Sequence, residues 1–321
     1  MICKAEALKP RTARDDFLRR AGIGLLTLWA AVTLAFFALR LAAGDPTDNL
    51  LAQGLASPEQ AQALRESLGL DQPLMIQYVG YLQGLARGDL GRSLFTQRLV
   101  TRTIADQAGA TVQLAAAGLF VAASLGTLLG FAAGWAGRSL LGRASAGLSG
   151  LATAVPVAVT GVLLLWGATW LAGLRPELLA WTRGGNLLLP ALALGIASSG
   201  ALARVLQSGL EENLHAPFLL AARARGVGHG TRLAWHALRP ALPLAISFLA
   251  LEASLLLGGT VVTEVVFARP GLGRLLVTSI LTGDFPVVQG LVLLAATIYT
   301  LTHIAADTIS ARVDPRLRSN P

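Results

Sequence analysis

Long stretches without charge alternate with short basic segments along this chain of 321 residues. A helix needs about 18–20 consecutive apolar residues to cross a bilayer. Five stretches reach that length without Asp, Glu, Lys or Arg, namely 21–39, 107–137, 144–174, 184–203 and 285–306. A sixth, 240–267, contains only Glu252 and Glu264 as charged residues. The pattern predicts an all-α membrane protein with six transmembrane helices.

Composition supports a membrane protein. Only 14% of the residues are charged, compared with roughly 25% in soluble globular proteins. The net charge of +8 fits the cytoplasmic loops of a membrane protein better than nucleic-acid binding. The first stretch is expected to remain as a span and not to be cleaved as a signal peptide, because it is long and no clear Ala-x-Ala site follows it. Cys3 is the only cysteine, so no disulfide can form within the chain.

The distribution of basic residues predicts the topology. A basic N-terminal tail is expected in the cytoplasm, and six spans return the C-terminus to the same side. The predicted order is a cytoplasmic tail (1–20), a first transmembrane helix (21–43), an outer region (44–106), a core with five further transmembrane helices (107–310) and a cytoplasmic tail (311–321). Within the core, Gly118, Gly126, Gly130 and Gly134 recur at spacings of four or eight and predict a smooth face for helix packing.

The outer region is predicted to be a small helical cap. Ser57, Pro58 and Gln60 stand in the order of a helix start, and Gly69 is a plausible stop. A second helix is expected at 73–85 from the spacing of its apolar residues. The region carries no cluster of metal ligands and no nucleophile beside a base, so an enzyme domain is not predicted there.

One long inner loop, 205–239, is predicted between the fourth and fifth spans. It contains the stretch AARARGVGHG at 221–230, where small residues and arginines precede alternating glycines. The expected local structure is a helix, a glycine break and a second helix, which together form a rigid knob. Composition leaves two interpretations open: a surface that docks against a partner, and an ordinary basic loop that follows the charge rule for cytoplasmic segments.

The run AARARGVGHGTRLAWHALRPALP, residues 221–243, resembles the cytoplasmic signature loop of the inner-membrane permeases of ATP-binding-cassette (ABC) importers, in particular the peptide and nickel branch. Leu220 stands where many importer permeases have an acidic residue. Further segments are similar to this branch in the same order along the chain, namely 44–46, 68–74, 88–93, 270–276, 284–290 and 314–316. The resemblance implies the type I ABC importer permease fold in a bacterial cytoplasmic (inner) membrane.

The resemblance also implies the partners. The chain is expected to form half of a pore with a second homologous permease, to receive solute from a periplasmic or lipid-anchored binding protein, and to couple to two ATPase subunits. ATP and Mg²⁺ are expected on those ATPase subunits, because this chain lacks the phosphate-binding Gly-x-x-x-x-Gly-Lys-Ser/Thr motif, and no cofactor is expected on the chain itself. Carried over by position, the ATPase-coupling residues are Ala221, Ala222, Arg223, Ala224, Arg225, Gly226, His236 and Arg239.

Three acidic residues lie in or near the predicted spans, where an unpaired charge is costly. Glu252 is the deepest, about 18 Å along the helix from Pro240. It is either a pore-lining carboxylate that meets a substrate amine or cation, or a structural group in an interhelical hydrogen bond. Glu264 and Asp307 lie closer to the interfaces, so a structural or gating role is expected for them. No catalytic residue and no metal ligand is predicted.

Cargo is the least determined property. Di- or oligopeptides are favoured, because no cluster of His or Cys suits a bare metal ion inside the pore. The alternative is the same architecture importing nickel, metal-chelate complexes or glutathione. An intramembrane enzyme is disfavoured by the lack of a catalytic motif. A secondary transporter is disfavoured because the two halves of the chain do not match each other.

Overall fold

The structure is a computed structural model of the chain, and it describes residues 13–42, 57–67, 69–137, 139–174 and 186–313 together with positions 47, 51 and 54. The predicted motifs at 44–46 and 314–316 lie outside these residues. The described helices are α1 (Ala13–Ala42), α2 (Pro58–Ser67), α3 (Leu74–Ala86), α4 (Val100–Ala136), α5 (Leu140–Ala154), α6 (Val157–Leu174), α7 (Leu188–Leu214), α8 (Pro217–Ala224), α9 (Leu238–Val266), α10 (Leu272–Thr282) and α11 (Phe285–Val313).

The all-α prediction is confirmed in the described part of the chain. Its β-type backbone pairing there is limited to an isolated bridge between Arg92 and Leu99. Five described helices are long and apolar enough to cross a membrane, and the pair α5–α6 makes a sixth if it is counted as one span. The predicted number of six therefore depends on that pair.

The third predicted span, 144–174, is not one straight helix. Helices α5 and α6 meet at an angle of 107°. The break is at Val155 and Pro156: proline has no backbone N–H to continue the helix, and its ring forces the preceding residue into an extended conformation. Val155 has φ −86° and ψ 121°, as this restriction requires. The stretch is apolar, as predicted, but the prediction of one span did not include the bend that its proline, Pro156, introduces.

The chain divides into two compact units, of which the first comprises residues 1–101 and 279–321. In this unit α1 packs along α11. Helix α3 contacts α1 through an aromatic cluster, in which the ring of Phe36 lies 5.4 Å from that of Tyr78 and 5.5 Å from that of Tyr81. The hydroxyl groups of Thr33 and Tyr78 are hydrogen-bonded at 2.7 Å.

The helix start predicted at Ser57 is confirmed. The Ser57 hydroxyl accepts from the Gln60 N–H at 3.2 Å, and the Gln60 side chain accepts from the Ser57 N–H at 2.9 Å. This reciprocal pair satisfies two backbone donors at the start of α2. Gly69, the predicted stop, has φ +63°, and the second predicted helix is α3.

The second unit comprises residues 102–278 and is built around α7. The glycine face predicted on α4 packs against this helix. A Cβ placed on Gly118 would lie 2.7 Å from Leu194, and one on Gly130 would lie 2.6 Å from the Ala203 carbonyl oxygen. Larger residues would push the helices apart, so these glycines set the close approach of α4 and α7.

One helix was not predicted from the sequence. No element was assigned between the predicted spans 240–267 and 285–306, but residues Leu272–Thr282 form α10. The helix is short, and Gly271 before it has no side chain with which to cap it. Its start therefore depends on groups from distant parts of the chain, which a local pattern does not reveal.

Candidate functional site

The predicted inner loop is shorter than 205–239, because α7 continues to Leu214 and α9 already begins at Leu238. We call the remaining segment, residues 215–237, the elbow. Its first arm is α8, which begins with Pro217 after an extended Ala216. Proline suits this position because its missing N–H would have no partner in the first turn of a helix.

Gly226 ends the first arm of the elbow in a Schellman motif. The Gly226 N–H donates to the Arg223 carbonyl at 3.0 Å, and the Val227 N–H donates to the Ala222 carbonyl at 3.1 Å. Gly226 has φ +79°, a conformation that costs other L-residues about 1–2 kcal/mol. The glycine break predicted from the sequence is thus placed at Gly226.

The second arm of the elbow contains a helical turn, His229–Thr231, and a π-helical segment, Arg232–Ala237. The Asn213 side-chain amide, at the end of α7, donates to the Ala237 carbonyl at 3.0 Å. The π-helical segment leads directly into α9, so the fifth span begins before Pro240. The helical conformation continues through Pro240, which therefore does not mark the boundary of the span.

Both arms of the elbow belong to the same hydrophobic core as the flanking spans. The cluster joins Leu219 of α8 and Ala237 to residues of α7 and α9. Its buried members are Leu202, Leu206, Leu210, Leu219, Ala237, Ala241 and Ala245. Because these side chains are buried in one cluster, the elbow packs directly against α7 and α9.

The predicted coupling residues divide by exposure. Ala221, Arg223, Ala224, Arg225 and Gly226 are exposed, as a docking surface requires. Ala222 is buried, with 6% of its surface exposed, so it supports the elbow from inside. The sequence did not predict this burial, since a run of small residues does not tell which of them face inwards.

The second arm of the elbow is held by aromatic contacts. The His229 ring lies 6.1 Å from the Trp135 ring of α4 in an edge-on arrangement. The Arg239 guanidinium lies 5.6 Å from the Trp235 ring. His236 is partly buried, and its Nδ1 is within hydrogen-bond distance of the Thr231 carbonyl, at 3.3 Å. His236 and Arg239, both predicted coupling residues, therefore have local contacts within the protein.

Glu264, in the last turn of α9, is completely buried and receives three hydrogen bonds. Thr111 Oγ1 of α4 donates to Glu264 Oε1 at 2.7 Å. The backbone N–H groups of Gly273 and Arg274 donate to Glu264 Oε2 at 2.8 and 3.1 Å. The side chain of Glu264 is thus an N-terminal cap for α10, supplied by a different helix.

Thr111 completes this cap. Its hydroxyl oxygen accepts from the Leu272 N–H at 2.8 Å while its proton is donated to Glu264. Gly271 allows the arrangement, since a Cβ on this residue would overlap the carboxylate of Glu264. These contacts link α4, α9 and α10 within the second unit of the chain.

Glu252, on the same helix as Glu264, has a different environment. It is partly exposed, and its side chain forms no hydrogen bond or ion pair with the described residues. This position is compatible with contact to a solute or to another subunit. Asp307 lies on α11, but its side chain is outside the described part of the chain.

Comparison with known proteins assigns the chain to a family. Residues 126–319 match the family described as the inner membrane component of binding-protein-dependent transport systems, and residues 16–115 match the N-terminal segment of such components. The chain belongs to this family of transport permeases. It is accordingly a multi-pass protein of the inner membrane and a transport component, as the sequence predicted.

Curated relatives match the permease over nearly their whole length. A putative peptide transport system permease protein of Brucella abortus is 34% identical over 94% of this chain and 98% of its own. The dipeptide transport system permease protein DppB of Lactococcus lactis is 33% identical, and that of Escherichia coli K12 is 29% identical, with the same coverage.

A solved structure shares the fold of the permease. The chain resembles a protein in the crystal structure of an amino acid ABC transporter with histidines, with a TM-score of 0.52 and 16% sequence identity. The match covers 66% of this chain and 94% of the other. It supports the predicted type I importer permease fold.

The roles of Thr111 and Gly271 in the permease were not predicted from the sequence. The only available signal was the segment Pro270–Arg274, which resembled the importer family but had no physical interpretation. A threonine within an apolar helix is common and carries no indication of its partner. The partnership with Glu264 joins residues that are 153 positions apart.

Proposed function

We propose that this permease forms half of a pore for the import of di- or oligopeptides. A second homologous permease, most simply in a heterodimer, completes the pore. A solute-binding protein delivers the peptide on the outer side. Two ATPase subunits dock on the elbow and carry the ATP and Mg²⁺. The chain itself binds no cofactor, and both of its termini are cytoplasmic.

The observation that carries this proposal is the shared core of the elbow, α7 and α9. Peptide as cargo is supported by the names of the relatives, which match almost the full chain. A rigid elbow is the part that a driven transporter needs, since it converts motion of an attached subunit into motion of spans.

The proposed cycle requires the elbow to favour two states of the pore differently. When ATP binding brings the two ATPase subunits together, the attached elbows are displaced. Helices α7 and α9 follow because their side chains interlock with the elbow, and the pore changes from inward-open to outward-open. A contact that stabilised both states equally would not drive this change.

Within the pore, we assign different roles to the acidic residues. Glu252 lines the path and meets the amino group or another cationic part of the solute. Glu264 is structural, because its oxygens are already engaged by Thr111 and α10. Asp307 has a structural or gating role near the end of the sixth span.

Reconstitution tests the cargo. Proteoliposomes containing both permeases and the ATPases, with the cognate binding protein outside, are expected to accumulate a labelled dipeptide or tetrapeptide only when ATP is inside. Nickel ions, a nickel chelate and glutathione are offered separately in the same vesicles. Accumulation of one of these without any uptake of peptide would replace peptide by that cargo.

Site-directed cross-linking tests the docking of the ATPase. Ala221→Cys is expected to form cross-links to the ATPase in the intact complex, because Ala221 is exposed on the first arm of the elbow.

Gly226→Val is expected to uncouple ATP hydrolysis from uptake by distorting the Schellman turn. Gly228→Ala is the matched control, because φ of Gly228 is −57° and its Cβ would have free space. Normal coupling in Gly226→Val would contradict the role of the turn.

A further inference from the structure

A cavity on the elbow lies between its two arms. Its volume is about 320 Å³, and it is open to the outside of the chain. Its walls combine apolar and basic side chains, namely Leu214, Leu219, Leu220, Arg223, His229 and Arg232. No acidic side chain contributes to these walls.

The two arginines of the cavity have no acidic partner among the described residues. Neither Arg223 nor Arg232 forms an ion pair within the described residues, and Arg223 is exposed. The Nε of Arg232 is buried without a hydrogen-bond partner among the described atoms. A guanidinium group matches the two oxygens of a carboxylate with paired N–H donors.

We propose that the partner ATPase inserts an acidic side chain into this cavity and pairs it with Arg223 and Arg232. A glutamate fits both properties of the cavity, because its methylene groups contact the leucine walls while its carboxylate reaches the guanidinium groups. Leu220, 60% exposed at the cavity, adds apolar surface that such a contact buries. Charge complementarity thus defines the partner surface as acidic, with apolar residues beside the acid.

This inference rests on the proposed docking of the ATPase at the elbow, and it adds the chemistry of recognition. The interaction would also explain how the two arms are held at a fixed distance when the ATPase is bound. The carboxylate would bridge α8, which carries Arg223, and the second arm, which carries Arg232. The ATPase would then act on both ends of the elbow together.

The test measures the affinity of the purified ATPase for the complete permease pair in nanodiscs. Arg223→Ala and Arg232→Ala are each expected to weaken binding about tenfold at about 0.15 M salt, where surface charges are partly screened. The loss should shrink at high salt in both variants. Arg225→Ala, on the same elbow but outside the cavity, is expected to weaken binding less than threefold, and Arg143→Ala on α5 should leave it unchanged.

Controls separate this inference from the proposed function. Arg232→Lys keeps the positive charge and is expected to restore part of the affinity, which a loss of folding would not allow. If Ala221→Cys still cross-links to the ATPase while neither arginine variant alters affinity, the inference is wrong and the docking stands. If wild-type ATPase gives no cross-link at the elbow, both are wrong. A loss that follows the anionic lipid content of the nanodisc would assign the cavity to lipid and overturn the inference.

Discussion

Two glutamates on one helix, α9, have opposite environments. Glu264 is completely buried and holds the start of α10 together with Thr111. Glu252, twelve positions earlier, is partly exposed and has no hydrogen-bond or ion-pair partner among the described residues. The presence of an acidic residue in a membrane helix therefore does not by itself indicate a role in transport. Whether its oxygens are already occupied decides whether it stabilises the fold or remains available to a solute.

The largest effect is expected when the cap of α10 is removed. Glu264→Ala leaves the Thr111 hydroxyl and two backbone N–H groups of α10 without their acceptor, at an expected cost of about 3 kcal/mol. The midpoint of heat inactivation of the complex in nanodiscs should fall by several degrees. Glu252→Ala is the matched control on the same helix and should leave the midpoint nearly unchanged. Equal stability of the two variants would contradict the structural role of Glu264.

Gly271→Ala tests the same cap from the other side. A methyl group at this position overlaps the carboxylate of Glu264, so either the glutamate or the start of α10 must move. We expect destabilisation of about 1–3 kcal/mol, typical of overpacking, measured as above. Gly258→Ala on α9, where a Cβ would meet no atom within 4 Å, is expected to be neutral or slightly stabilising. Tolerance of Gly271→Ala would mean that the cap is looser than its hydrogen bonds indicate.

Substitution of Glu252 is expected to affect transport more than substitution of Glu264, which is the opposite of the order expected for stability. Glu252→Gln removes the charge and keeps the shape, so uptake per assembled complex is expected to fall about threefold or more, which corresponds to roughly 0.6 kcal/mol. Glu264→Gln retains one oxygen that can accept hydrogen bonds, and uptake per assembled complex should fall less. The comparison uses complexes quantified after purification. Negligible and equal changes would assign Glu252 to packing.

A third buried carboxylate, Asp284 before α11, extends the comparison to a group outside the spans. It accepts from the Ser93 hydroxyl at 2.5 Å and from the Leu94 N–H at 3.1 Å. Burial nevertheless raises the pKa of Asp284 above its ordinary value of 3.8, and these hydrogen bonds only reduce the increase. The folded protein therefore holds this proton more tightly than the unfolded chain does.

The sign of the pH effect follows from this difference. The stability that proton binding contributes is present below pH 3.8 and is lost as the pH rises through the raised pKa of Asp284. Asp284→Asn cannot ionise, so its inactivation midpoint relative to wild type should improve as the pH rises through this window. This is the smallest expected effect. A difference that is constant from pH 4 upwards would show that Asp284 titrates normally.

Local patterns were sufficient for several elements. The capping box at Ser57 was predicted because both of its partners lie within one helical turn, and the glycine face of α4 because its spacing follows the helix period. The break at Gly226 followed from a residue type that alone adopts its conformation at low cost. The docking of the ATPase at the elbow, the peptide cargo and the cytoplasmic position of both termini remain predictions.

The sequence by itself determined the helical class, the apolar spans, the position of the elbow and the family, because each is encoded in residues that are close together or in the order of motifs. Only the tertiary structure decided that α5 and α6 bend at Pro156, that Ala222 faces inwards, and that Glu264 caps α10. These outcomes depend on which distant atoms satisfy a buried donor or fill a space. A buried hydrogen-bonding group must find a partner somewhere, but its own neighbours in the chain do not say where.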